Sequence, residues 1–124
     1  MAARASFITE TVFSHPSKVA LVARATAFGH VVHLHVVLVP ERLPVARVAA
    51  RVAQGGHDVP EQKIRERYAR LWPLVAAARA LSDRATFYDN SRAVSPFRVV
   101  ATYERGRLVG EAAWPTWTPK PLLG

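Results

Sequence analysis

The sequence predicts a single α/β domain over residues 1–124, in which a mainly parallel sheet is flanked by helices. A β-rich run at 6–13, a helical pattern and an apolar run at 31–39 follow one another in the order of a right-handed βαβ unit. Two further helical patterns then lead to another strand at 84–90, and two more strands flank the turn at 105–107. The last two strands predict a C-terminal β-hairpin beside the parallel strands.

The composition limits the class of protein. The chain has 124 residues, of which 50% are hydrophobic and 21% charged, so that it can bury one core. Its net charge of +8 favours anionic partners, among them nucleotides, nucleic acid and anionic membranes. The lack of cysteine excludes disulfides, thiolate metal sites and a cysteine nucleophile. No apolar run is long enough for a leader or a membrane span, so we expect a cytoplasmic protein without membrane contact.

Three helices are predicted from helix start and stop signals, at 16–29, 40–54 and 61–82. Pro73 is expected to kink or break the third helix, because proline removes a backbone donor and collides with the preceding turn. The Pro- and Trp-rich tail at 114–121 is expected to lie across the surface of the domain with its Trp rings facing inward.

The second and third helices carry cationic side chains on both sides of a glycine hinge at 55–56. These side chains are Arg47 and Arg51 on the second helix and Lys63, Arg67 and Arg70 on the third. Such a hairpin collects guanidinium groups, which suit the geometry of phosphate. The alternative is two solvated surface helices, neutralised in part by the i,i+4 pairs Glu61 with Arg65 and Glu66 with Arg70.

Polar residues end two of the predicted strands, at the edge where open α/β sheets bind ligands. Glu10 is suited to accept a hydrogen bond from a sugar or alcohol hydroxyl, or else lies near the start of the first helix as a favourable acid. The segment Asp89-Asn90-Ser91 is suited to line a base or ribose, or belongs to an ordinary turn. His33 and His35 share a strand face without a third ligand, so we expect packed histidines and no metal site.

The sequence lacks the motifs of a complete phosphoryl-transfer site. It contains no Gly-x-x-x-x-Gly-Lys-Ser/Thr, no Gly-rich turn between a strand and a helix, and no spaced pair of Asp residues for magnesium. We therefore expect the chain by itself to lack kinase and ATPase activity, because nothing in it is built to hold the β- and γ-phosphates.

Several segments, in their order and spacing, resemble the zeta-toxin family of P-loop kinases across about residues 5–101. They are Ser6-Phe7-Ile8-Thr9-Glu10-Thr11, the His35-Val36-Val37-Leu38-Val39 strand, Arg51 to Pro60, Ile64-Arg65-Glu66-Arg67-Tyr68 and Tyr88-Asp89-Asn90-Ser91. The most specific part is Arg-x-x-x-Gly-Gly-His-x-Val-Pro followed by Ile-x-x-Arg-Tyr. The resemblance implies an ATP-dependent kinase that phosphorylates a hydroxyl of a small molecule, which is the nucleotide sugar UDP-N-acetylglucosamine in toxin members.

The resemblance also implies roles for individual residues. It assigns Glu10 and Thr11 to substrate binding, Arg51 and Arg67 to catalysis as the two arginines of a lid hairpin at about 40–72, and Arg51, Arg67, Arg70 and Asn90 to nucleotide binding. The lid arginines would hold the ATP phosphates and the migrating phosphoryl group, where charge stabilisation supplies most of the catalysis. ATP and Mg²⁺ are the cofactors that the resemblance implies for a complete enzyme.

The family's Walker A loop and its general-base Asp would precede residue 6 and do not occur here. We therefore expect an incomplete, inactive chain that binds neither ATP nor Mg²⁺ tightly. In this fold the Walker A strand lies between the strands at 6–13 and 31–39, so its loss is expected to leave open sheet edges, with an antitoxin or a second copy as candidate partner. The alternatives are a non-catalytic basic module that binds anions or nucleic acid without sequence preference, and a regulatory remnant that pairs with a full-length relative.

Overall fold

The computed structural model describes residues 16–56, 60–91 and 97–123. Its elements in chain order are α1 (Pro16–Ala27), β1 (His33–Leu38), α2 (Arg42–Ala53), α3 (Glu61–Leu81), β2 (Arg84–Asp89), β3 (Arg98–Glu104), β4 (Arg107–Leu108) and a 3₁₀ turn (Lys120–Leu122). The α/β class predicted from the sequence is confirmed. The predicted first strand at 6–13 lies outside the described residues.

The described strands form one mixed sheet in the order β1-β2-β3-β4. β1 pairs with β2 in parallel, from His33 opposite Arg84 to Leu38 opposite Asp89. β3 and β4 are added in antiparallel orientation. The prediction of a mainly parallel sheet is therefore wrong for this part of the chain, because β3 follows β2 through a short connection that leaves no room for a crossover helix.

One face of the sheet packs against α1 and α3, and Leu38 of β1 and Phe87 of β2 are fully buried there. β1 alternates between exposed and more buried positions, as a strand covered on one face does. His33 and His35 are on the uncovered face and are exposed, so the prediction of packed histidines is wrong. The His35 Nδ1 atom lies 2.9 Å from the Tyr88 hydroxyl oxygen, and the two rings stack at 5.9 Å.

α3 runs without interruption from Glu61 to Leu81 and passes through Pro73. The predicted break does not occur. Pro73 is exposed, whereas its neighbours Trp72 and Val75 are buried in the core at 3% exposure each. Tertiary packing of these side chains outweighs the loss of one helical hydrogen bond at the proline.

The predicted final strand at 108–113 is shorter than expected, because β4 contains only Arg107 and Leu108. The chain nevertheless stays beside β3, since the amide of Val109 donates to the carbonyl of Thr102 at 2.8 Å and that of Ala113 to Val100 at 2.7 Å.

The C-terminal tail lies over the core, as the sequence predicts. The ring of Trp114 packs edge-to-face with Phe87 at a centroid distance of 5.3 Å and lies tilted against the ring of Tyr103 at 6.5 Å. Arg79 of α3 stacks on the Tyr103 ring at 4.4 Å and donates from Nη1 to the Leu122 carbonyl at 2.8 Å. The tail therefore closes the covered side of the sheet and helps to fix α3 there. Across the described ranges, no helix has the length and apolar character needed to cross a membrane.

Candidate functional site

The hinge after α2 has the backbone geometry that its two glycines predict. The amide of Gly55 donates to the Val52 carbonyl at 3.0 Å, and that of Gly56 to the Arg51 carbonyl at 2.8 Å. Gly55 has φ +89°, and a Cβ on Gly56 would lie 2.9 Å from the Arg51 oxygen. This is a Schellman motif, in which a left-handed residue ends the helix and satisfies its last carbonyls. Both glycines therefore shape the end of α2 at Arg51, one of the predicted phosphate ligands.

An ion-pair network joins the beginnings of α2 and α3. Arg65 donates to Glu41 at 3.1 Å and to Glu61 at 3.2 Å. The predicted pair of Glu61 with Arg65 is therefore confirmed, and Glu41 is an additional partner. These hydrogen bonds raise the pKa of Arg65 above its ordinary value. All three side chains are at least 40% exposed, so the network contributes little to stability.

The second predicted pair, Glu66 with Arg70, does not form. Glu66 instead accepts a hydrogen bond from the Gln62 side chain at 3.2 Å. Gln62 precedes Glu66 by one helical turn, as Arg70 follows it by one, so two neighbours compete for the same carboxylate. The three acidic side chains of the described hairpin thus bond to Arg65 or Gln62, and none of them neutralises Arg70.

Six cationic side chains of the hairpin are exposed and have no hydrogen bond or ion pair with another described residue. They are Arg42, Arg47 and Arg51 on α2 and Lys63, Arg67 and Arg70 on α3. Including Arg65, the described hairpin has seven cationic and three acidic side chains. A surface with this excess of positive charge among its described residues attracts anions.

The cations of α3 form a stripe on one flank of the helix. At about 100° per residue, Lys63, Arg67 and Arg70 fall within an arc of about 60°. Arg65 projects from the opposite flank, where it meets Glu41 at the start of α2. Arg51 makes no hydrogen bond or ion pair with this stripe, so the structure brings Arg67 and Arg70 together on one surface and leaves Arg51 on a separate helix.

Tyr68 connects α3 to the carboxyl end of β1. Its hydroxyl donates to the Val39 carbonyl at 2.7 Å, and its ring meets the edge of Trp72 at 5.3 Å. Burial, together with the negative charge of Glu41, raises the pKa of Tyr68 to about 12, so that the hydroxyl remains a donor. The sequence pattern places Tyr68 in the apolar stripe and misses this role. The signal was the residue type, because a buried tyrosine hydroxyl generally requires a partner.

The carboxyl end of β2 adjoins that of β1. The amide of Asn90 donates to the Leu38 carbonyl at 3.0 Å, which extends the parallel pairing by one bond. Asp89 is buried; its Oδ1 accepts from the Ser91 amide at 2.8 Å, and its Oδ2 lies 3.5 Å from Nη2 of Arg98. Asp89 thus stabilises the turn, as expected for an ordinary turn segment. The half-buried Asn90 remains a candidate nucleotide contact.

The predicted substrate residues Glu10 and Thr11 lie outside the described residues. Within the described ranges, no group of three or more His, Asp or Glu side chains is close enough together to hold a metal ion. The candidate positions that the structure does place are cationic or polar, and the guanidinium groups among them have the geometry to bind phosphate.

These features define an α/β protein with an arginine-rich helical hairpin next to the carboxyl edge of a parallel strand pair. A comparison with protein families identifies the family of this chain. The zeta toxin family model matches residues 1–106, and the chain belongs to that family. No curated protein and no solved structure matches the chain significantly.

Proposed function

We propose that the chain provides the arginine-bearing part of a zeta-toxin-like kinase, which transfers a phosphoryl group from ATP to a hydroxyl of a small molecule such as a nucleotide sugar. The observation that supports this proposal most is the set of six exposed cations that have no hydrogen bond or ion pair with another described residue. Membership of the zeta toxin family supports the proposed reaction class. The 124-residue chain itself, without a Walker A motif, is expected to be inactive.

In this proposal the arginines act on phosphate. Arg51 and Arg67 contact the phosphates of ATP and the group in transfer, and Arg70, one turn after Arg67, extends the same surface. A phosphoryl group in transfer carries its charge on its peripheral oxygens, and fixed guanidinium groups stabilise that charge. ATP, when bound, supplies the phosphoryl group. We assign no residue to Mg²⁺, because the described residues contain no suitable group of carboxylates.

The acceptor side of the reaction is assigned by resemblance. Glu10 and Thr11 would hydrogen-bond the substrate, since a carboxylate is a strong acceptor for a sugar hydroxyl. Asn90 lies half-buried at the carboxyl edge, with its backbone fixed by Leu38, and is proposed to contact the nucleotide. Phosphate contacts on the hairpin and acceptor contacts at strand ends would then be supplied by different elements.

Titration of the 124-residue chain with tripolyphosphate, measured by isothermal calorimetry, tests the phosphate contacts. We expect weak binding of one tripolyphosphate per chain, weakened about ten- to hundred-fold by Arg51→Ala or Arg67→Ala, as expected for the loss of a charge-assisted hydrogen bond. Arg24→Ala is the matched control, since Arg24 is exposed in the last turn of α1 and its removal changes the net charge equally. Equal weakening by Arg24→Ala would contradict a defined site.

The second candidate function is binding of nucleic acid, which the net charge of +8 favours. A surface that neutralises many phosphates loses affinity steeply as salt rises, whereas a site for one polyphosphate loses less. In the same titrations with DNA and RNA duplexes at several salt concentrations, we expect weak, steeply salt-dependent binding without sequence preference. Tight, sequence-dependent binding at physiological salt would favour the nucleic-acid module over the kinase.

A further inference from the structure

The two arginines assigned to the lid stand on helices that are attached to the domain in different ways. α2, which carries Arg51, has no buried residue. Its beginning is joined to α3 through the ion pair of Glu41 with Arg65, both of which are exposed to solvent by 40% or more. Because α2 has no fully buried side chain and exposed ion pairs contribute little, α2 can shift at a smaller cost than α3, whose side chains enter the core.

α3 carries Arg67 and is attached to the sheet through the next residue, Tyr68. The Tyr68 hydroxyl donates to the Val39 carbonyl at 2.7 Å. In the next turn Trp72 is 3% exposed and meets the Tyr68 ring. Val39 directly follows β1, whose end is paired with the next strand through the bond from Asn90 to Leu38. Tyr68 thus connects the backbone next to Arg67 to the carboxyl edge of the sheet.

We infer that Tyr68 is a positioning residue, whose hydroxyl fixes Arg67 at the carboxyl edge of the sheet as a preformed phosphate contact. Arg51, in contrast, reaches its binding position only when α2 moves to contact the ligand. This inference rests on the proposed function. The two arginines are then not equivalent, because Arg67 is already in position when the ligand binds, whereas Arg51 becomes ordered only through binding.

The physical basis is the entropy of binding. A side chain whose backbone is already fixed loses less freedom when it binds, so that more of its interaction energy appears as affinity. Removing the Tyr68 hydroxyl leaves the ring and its contact with Trp72 but frees the turn that carries Arg67. The affinity that Arg67 provides should then fall, while the affinity that Arg51 provides should not change.

The first test needs no ligand. Amide hydrogen exchange is measured for α3 in Tyr68→Phe and in Tyr88→Phe, a control that removes a hydroxyl from the uncovered sheet face, where it lies 2.9 Å from His35. We expect exchange around Arg67 to become about five-fold faster in Tyr68→Phe, as the loss of one hydrogen bond predicts. Tyr88→Phe should leave α3 unchanged. Wild-type protection of this turn in Tyr68→Phe would overturn the inference.

The second test is a pair of double-mutant cycles with tripolyphosphate as the probe. We expect Arg67→Ala to weaken binding less in the Tyr68→Phe background than in the wild type, and Arg51→Ala to weaken it equally in both. Equal coupling of Tyr68 to the two arginines, or none to Arg67, would overturn the positioning role. If the wild-type chain binds no tripolyphosphate at all, the proposed phosphate site fails, and hydrogen exchange alone still decides whether Tyr68 anchors this turn.

Discussion

Arg67→Ala is expected to lower phosphoryl transfer by about 10³-fold in a chimera in which the Walker A segment of a zeta-toxin relative is fused upstream of residue 1. An arginine that meets the phosphoryl group in transfer stabilises charge that is absent from the bound substrates, so its loss affects the rate more than the affinity. Arg51→Ala should also lower the rate by a large factor. The transfer rate is followed with radiolabelled ATP at saturating substrate.

Two further variants in the same chimera make this result interpretable. Arg67→Lys keeps the charge but loses the planar pair of donors, and should recover only part of the rate. Arg24→Ala on α1 should transfer at the unmodified rate with the same circular dichroism spectrum. Near-normal turnover in both Arg51→Ala and Arg67→Ala would remove the assignment of these arginines to catalysis.

Glu10→Gln is expected to abolish most acceptor phosphorylation in that chimera while ATP binding stays almost unchanged. The substitution keeps the shape of the side chain and part of its hydrogen bonding, but removes the charge that strengthens a bond to the substrate hydroxyl. ATP affinity, measured by calorimetry, and transfer to the acceptor, measured with labelled ATP, separate the two sides of the reaction.

The matched variant for Glu10→Gln is Thr11→Val, which removes a neutral hydroxyl from the adjacent position proposed to bind the substrate. We expect a smaller loss of transfer, because a neutral hydrogen bond contributes less than a charge-assisted one. If Glu10→Gln instead reduces ATP affinity and leaves acceptor binding intact, Glu10 belongs to the nucleotide side or to the fold.

Most of the described helices and strands were predicted from local sequence signals, because such signals act between residues a few positions apart. The glycine that ends α2 and the acid in the first turn of α3 are examples. Pro73 shows the limit of such signals. Its effect depended on whether Trp72 and Val75 pack into a core that holds the helix together, which residues around the proline do not reveal.

The residue types of the candidate site could be predicted from the sequence, but the hydrogen-bond partners of these residues could not. The clustering of arginines on both helices follows from their spacing in the sequence. The choice of Glu66 between Gln62 and Arg70, and the bond from Tyr68 to Val39, depend on tertiary geometry. Tyr68 and Val39 are 29 positions apart, so no local pattern could have joined them.

The most direct test of the account is a titration of the ¹⁵N-labelled chain with tripolyphosphate, monitored through the Nε–Hε resonances of the arginines. We expect the resonances of Arg51, Arg67 and Arg70 to shift in a saturable manner with one common affinity. Arg24 on α1 and Arg84, which is paired with Glu104, should not move. Shifts of similar size at all arginines, or shifts that begin at Arg24 or Arg84, would contradict a phosphate site on the hairpin.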